Sequence, residues 1–294
     1  MEIFGIPAQA WLGQILLGLM NGSFYAVLSL GLAVIFGLLN IINFAHGALY
    51  MFGAFCAWMG LNWLGVGYWW SLLLSPVVVG AFGVVLERLL LRRLYELDHM
   101  YGLLLTFGLA LIIEGVFRHF FGVAGQPYPV PDLLRGATDV GFMMLPTYRA
   151  WVVVASLAVC LLTWFAIEKT RLGSYLRAGT ENAKLVQAFG VNVPVMISLT
   201  YGAGVALAAF AGVLAAPVIQ ISPLMGSNII IVVFAVVVIG GMGSILGSIM
   251  TGLGLGVIEG LTKVVYPEAS ATILFIIMAL VLLVRPAGLF GREA

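Results

Sequence analysis

The feature that most constrains this chain is a succession of apolar runs, each near the length that crosses a bilayer. They cover Trp11 to Leu38, His46 to Leu64, Trp69 to Leu91, Tyr101 to Phe121, Ala150 to Ile167, Val195 to Val218, Asn228 to Met250, Thr251 to Tyr266 and Ala271 to Val284. A helix rises about 1.5 Å per residue, so about 20 apolar residues span the hydrocarbon core. In lipid every backbone polar group must be paired internally, which leaves helices or closed barrels. Barrel strands would show about ten residues of alternating polarity, and these runs are continuous. The expected fold is therefore an all-α, polytopic transmembrane helix bundle of eight or nine membrane segments, some broken or re-entrant, in a single transmembrane domain over residues 1–294. Composition agrees, with 63% hydrophobic residues, 9% charged and a mean hydropathy of +1.15, where soluble domains carry about 25% charged residues.

The basic residues between the runs give an orientation. Arg88, Arg92 and Arg93 form one cluster, Lys169, Arg171, Arg177 and Lys184 a second, and Arg285 and Arg292 a third. The positive-inside rule places all three in the cytoplasm. Residues 122–149, with four prolines and few basic residues, then fall outside as an ordered, turn-rich cap or hairpin. No charged segment followed by a small-residue cleavage site precedes the first run, which reads as a span.

Several function classes are disfavoured. A net charge of +1 offers no broad basic surface for nucleic acid. Cys56 and Cys160 both lie in apolar runs and read as small buried hydrophobes, and no metal site is suggested. Charges within the runs are few, and Glu114 with Arg118 and Glu259 with Lys263 form two pairs, each four residues apart and able to neutralise itself along one helix. A proton relay would want acids deep in several helices. No HExxH, GxGD or GxSG motif marks an intramembrane enzyme, and His46, His99 and His119 are scattered.

Two polar or small-residue interruptions stand out. In "GLLNIINFAHG", Asn40, Asn43 and His46 recur every three residues between Gly37 and Gly47. Asn and Gly suit a turn joining two spans. The same letters suit a broken or re-entrant helix facing other protein or a water-filled path, where irregular backbone survives at membrane depth. The second interruption, at Gly240, Gly241, Gly243 and Ser244, has the same shape, and the pair suggests an internal structural repeat. Gly243 to Gly247, Gly252 to Gly256 and Gly256 to Gly260 have the four-residue spacing that lets helix backbones pack closely.

The cytoplasmic segment 168–194 holds "RAGTENAKLVQAFGVNVPV". Thr180 is positioned to N-cap a helix of about ten residues, Glu181 complements its positive end, Gly190 terminates it and Pro194 opens the next span. Leu185, Val186 and Phe189 are expected on one face. Such a helix can lie on the bilayer or dock in the groove of a soluble partner. The chain has no GxxxxGK[ST] phosphate loop of its own.

The segments "NGSFYAVLSLGLAVIFGLLNIINFAHGALYMFGAF", "GLLLTFGLALIIEGVFRHFFG", "RAGTENAKLVQAFGVNV" and "VVVIGGMGSILGSIMTGLGLGVIEG" together resemble the permease family of high-affinity branched-chain amino acid ABC importers, nearly end to end and in order. "INFAHG" is the most specific part. The resemblance implies a fold of the ABC importer permease type and a bacterial inner-membrane subunit with no catalytic residues. It implies as partners a homologous second permease, two cytoplasmic ATPases that hold the ATP and magnesium, and a periplasmic binding protein, all within membrane lipid. It places ATPase coupling on Thr180, Glu181, Ala183, Val186, Phe189 and Gly190, where the importer motif opening Glu-Ala-Ala is here Glu181-Asn182-Ala183. It places the translocation path at Asn40, Asn43, His46, Gly240, Gly241 and Ser244, where the polar groups would solvate a passing zwitterion without holding it. The alternative is a self-sufficient channel or facilitator for a small neutral solute such as urea or an amide, which the scarcity of buried charge suits equally.

Overall fold

The computed structural model describes residues 2–291 apart from Phe4, Gly5, Asn40, Ile41 and Glu96. Eleven α-helices account for most of them. They are α1 (Ala8–Leu39), α2 (Ala45–Leu64), α3 (Tyr68–Leu89), α4 (His99–Phe121), α5 (Thr147–Glu168), α6 (Arg171–Glu181), α7 (Ala183–Ala188), α8 (Val193–Ala215), α9 (Met225–Gly240), α10 (Ile245–Val265) and α11 (Thr272–Val284). Among the described residues six segments are long and apolar enough to cross a membrane, and α9 and α11 are shorter apolar helices. The expected run from Asn228 to Met250 is not one helix. Gly241 and Gly243 adopt φ of 98° and 83°, which a helix cannot continue through, and Ser244 caps α10 by accepting from Gly247 N at 3.1 Å. The expected segment from Thr251 to Tyr266 is the remainder of α10.

The chain forms two compact units, each assembled from separated stretches. One comprises residues 1–29, 130–160 and 232–294. Its core is built on Val236, Ile239, Leu255 and Leu274, with Tyr25, Ile277 and Met278 packed against them. The start of α1 lies directly on α10: a Cβ added to Gly256 would collide with the backbone of Gly22, and one on Gly22 would come within 2.9 Å of Gly252 O. The glycine spacing read from the sequence is thus a helix contact, with backbones close enough for dispersion forces to hold them in lipid. Residues 137–139 and 144–146 pair as an antiparallel hairpin, with Ala137 opposite Pro146, as the turn-rich composition suggested.

The other unit comprises residues 30–129 and 161–231. Its centre is α8, buried along most of its length between α2 and α3. The contacts again run through small residues, Gly53 against Ala209 and Gly80 against Gly202. Phe52, Phe55, Phe117 and Phe121 close the space between α2 and α4, with ring centroids 4.8 Å apart for Phe55 and Phe117. The outward face of α4 is apolar, exposing Leu104, Leu111, Ile112, Val116 and Phe120. An exposed apolar surface of this extent suits lipid and not water.

Candidate functional site

The site begins at the short helix α7. Helix α6 continues through Thr180, whose hydroxyl donates to Arg177 O at 2.7 Å inside its last turn. Thr180 is therefore not the N-cap of the next helix. Asn182, at φ −149°, breaks the chain direction, and its Oδ1 accepts from Leu185 N at 3.0 Å. The expected ten-residue helix is accordingly a six-residue one, with Glu181 at the end of α6, Ala183 at its start, and Phe189 and Gly190 just past its end. Gly190 closes it at φ 84°. The expected face also divides. Val186 is 8% exposed and turned into the protein, whereas Leu185 is 55% and Phe189 80% exposed. Four residues lead from α7 to α8, which Asn192 caps by accepting from Val195 N at 3.2 Å, with Pro194 in the first turn.

Behind α7 lies a cavity of about 500 Å³ lined by Glu87, Arg92, Arg93, Tyr95, Ala183, Gln187, Val193, Pro194 and Ile197. Glu87 sits in the last turn of α3 and is 1% exposed. It lies inside the apolar run from Trp69 to Leu91, directly before the first residue of the arginine cluster. Tyr95 OH donates to its Oε1 at 2.7 Å, and Ser198 Oγ, from the first turns of α8, donates to its Oε2. Arg88 Nε reaches the same Ser198 oxygen at 3.4 Å. Burial, and then the hydrogen bond to Glu87, push the Tyr95 hydroxyl above the usual tyrosine range, so it remains a donor.

The polar contacts continue along α8. Tyr201, three residues beyond Ser198 and on the same helix face, accepts from Asn43 Nδ2 at 3.0 Å. Asn43 is non-helical and has no exposed surface, and its Oδ1 has no hydrogen-bond partner among the described residues. His46, in the first turn of α2, is equally buried, and its N–H meets Asn43 O at 3.3 Å. Thr106 of α4 fixes the same break by donating to Ile42 O at 3.1 Å and accepting from Phe44 N at 3.2 Å. Asn40 lies outside the described residues. Asn43 and His46 are both closed off from the surface.

Gly240, Gly241 and Ser244 belong to the other unit. Gly240 ends α9, Gly241 packs against Gly288 and Gly291, and Ser244 is the α10 cap. Leu289 N and Phe290 N donate to Ile239 O and Gly240 O, so the segment after α11 is fastened to this turn. The two acid–base pairs read from sequence are present, Arg118 to Glu114 at 2.8 Å and Lys263 to Glu259 at 2.6 Å. Among the described residues no three His, Cys, Asp or Glu side chains form a metal-binding group.

The family described as branched-chain amino acid transport system / permease component matches residues 14–284. The chain belongs to this family. LivH of Escherichia coli (strain K12), a high-affinity branched-chain amino acid transport system permease protein, is 31% identical over 298 residues and 96% of each chain. BraD of Pseudomonas aeruginosa, described in the same terms, is 30% identical over 96% of each. LivM of Escherichia coli (strain K12), another permease protein of that description, is 28% identical over 90% of this chain and 67% of its own. Among solved structures, PsaBC from Streptococcus pneumoniae in complex with Fab covers 91% of this chain and 89% of its own at 13% identity and a TM-score of 0.47, a likeness too distant to inform the site. This permease is a multi-pass membrane protein of a transport family. The family is one of transport permeases and not of enzymes.

Proposed function

We propose that this chain is the membrane-spanning permease subunit of an ATP-binding-cassette importer that carries branched-chain amino acids or related small amino-acid substrates across a bacterial inner membrane. The observation that carries the reading is the family match over residues 14–284, joined by 31% identity to LivH along nearly the full length of both chains. In this reading a periplasmic binding protein delivers the substrate and a homologous second permease completes the path. Two cytoplasmic ATPases, holding ATP and magnesium, drive the cycle. The chain itself performs no catalysis.

Within that reading α7 is the element that meets the ATPase, and Leu185 and Phe189 are its apolar contacts because they stand out from the protein on one side of the helix, four residues apart. Val186 faces inward and anchors the helix. A substrate route that involves the Asn40–His46 break has to open it first, since Asn43 and His46 are closed off. Gly240, Gly241 and Ser244 then serve as the hinge of the corresponding break.

The test is co-purification of the tagged permease with its second permease and ATPases, wild type against Leu185→Asp with Phe189→Asp. Retention of the ATPases by the wild type and their loss from a folded, membrane-inserted variant is the expected result. A wild type that binds no ATPase and transports alone in vesicles overturns the reading in favour of a facilitator.

A further inference from the structure

The buried carboxylate of Glu87 is unexplained by stability. An acid in the last turn of a helix opposes the helix dipole, and Glu87 accepts its hydrogen bonds from two neutral hydroxyls while Arg88 bonds Ser198 rather than the carboxylate, so little of the lost hydration is recovered. An apolar residue of similar size would pack there at no greater cost. The two hydroxyls on Glu87 come from different elements: Ser198 belongs to α8, and Tyr95 follows the short 3-10 turn Leu91–Leu94. One side chain thereby ties three pieces of backbone together at the wall of the cavity that Ala183 and Gln187 of α7 also line.

We propose that Glu87, Tyr95 and Ser198 form a clasp that makes α3, the 3-10 turn and α8 move as one body when α7 is displaced, with Glu87 as its positioning residue. The proposal rests on α7 being the ATPase contact. The four-residue link from α7 delivers the displacement to the first turn of α8. Without the clasp, the end of α3 and the 3-10 turn would lose their polar tie to the first turns of α8, and the cavity beside them would absorb part of the motion. With it, the displacement travels one turn further along α8 to Tyr201, which holds Asn43 at the break between α1 and α2. The clasp thus links the nucleotide-driven end of the molecule to the closed polar break. Hydroxyl-to-carboxylate hydrogen bonds suit this role because they are strong and directional, and each re-forms readily after a shift.

The experiment uses the assembled transporter in proteoliposomes with its binding protein and radiolabelled leucine as the probe. Wild type, Tyr95→Phe and Ser198→Ala are compared for ATPase retention, ATP hydrolysis, leucine uptake and amide exchange of Phe44–Ala48 with and without trapped nucleotide. The expected result is an intact complex that hydrolyses ATP while uptake per ATP falls by about tenfold, the equivalent of one hydrogen bond to a charged group. Nucleotide should change exchange at Phe44–Ala48 in the wild type and not in the variants. Uptake and hydrolysis falling in proportion, an unchanged ratio, or variants that no longer assemble would each overturn the clasp and leave Glu87 a structural group. A wild type that retains no ATPase overturns the functional reading itself, and the clasp with it.

Discussion

Tyr25 and Glu259 lie 234 residues apart in the sequence and are joined by a hydrogen bond of 2.7 Å from the tyrosine hydroxyl to Glu259 Oε2. The other carboxylate oxygen meets Lys263 Nζ at 2.6 Å. The bond fixes the axial register of α1 on α10, which glycine contacts alone would leave free to slide.

Removing that bond has a defined cost. Tyr25→Phe keeps the ring and leaves Glu259 with Lys263 alone, so the loss is that of a hydrogen bond to a charged group, about 1.5–3 kcal/mol. A thermal or denaturant melt in detergent should show a lower midpoint than wild type. An unchanged midpoint would mean that the glycine contacts set the register.

The glycines of α10 are not equivalent. Gly256→Ala places a methyl group against the backbone of Gly22 and should destabilise the unit by about 1–3 kcal/mol or more, the usual cost of overpacking. Gly254→Ala, on the same helix with nothing within 4 Å, should be neutral or stabilising by up to about 1 kcal/mol through helix propensity. The same melts, run side by side, test the contrast.

Asn182→Ala removes the cap of α7 and should weaken that helix by about 1 kcal/mol, whereas Thr180→Ala should leave it unchanged. Amide exchange of residues 183–188 reads this directly. Faster exchange in the Thr180 variant would contradict the boundary between α6 and α7.

Tyr201→Phe takes away the acceptor of Asn43 Nδ2 and leaves a second buried polar atom on that side chain without a partner. A buried unsatisfied donor costs about 1–3 kcal/mol, so the start of α2 should exchange its amides faster than in wild type. Equal exchange would show that the contacts of Thr106 suffice to hold the break.

Most of the helices were legible in the sequence because lipid imposes one simple rule of length and polarity. Glycine at 241 and 243 and a serine at 244 also announced the break, although the run from Asn228 to Met250 concealed that α10 begins there. The polar contacts were less legible for specific reasons. Thr180 and Asn182 are both good caps, and the choice was made by backbone geometry, which composition does not encode. Glu87 was hidden by the arginines beside it, although an acid at the end of an apolar run, where the dipole opposes it, was the available signal. Ser198 and Tyr201 lie among small and aromatic residues of a span, where nothing distinguishes a hydroxyl that bonds a distant carboxylate from one that bonds its own helix. Leu185 and Val186 are neighbours of equal apolarity, and only the tertiary fold turns one inward and the other out.

That division of α7 limits how it can move. With Val186 seated in the protein, a roll about the helix axis would unseat it, so the helix behaves as a pawl that can be pushed or drawn but not spun. A partner gripping Phe189 and Leu185 would therefore transmit thrust and very little torque.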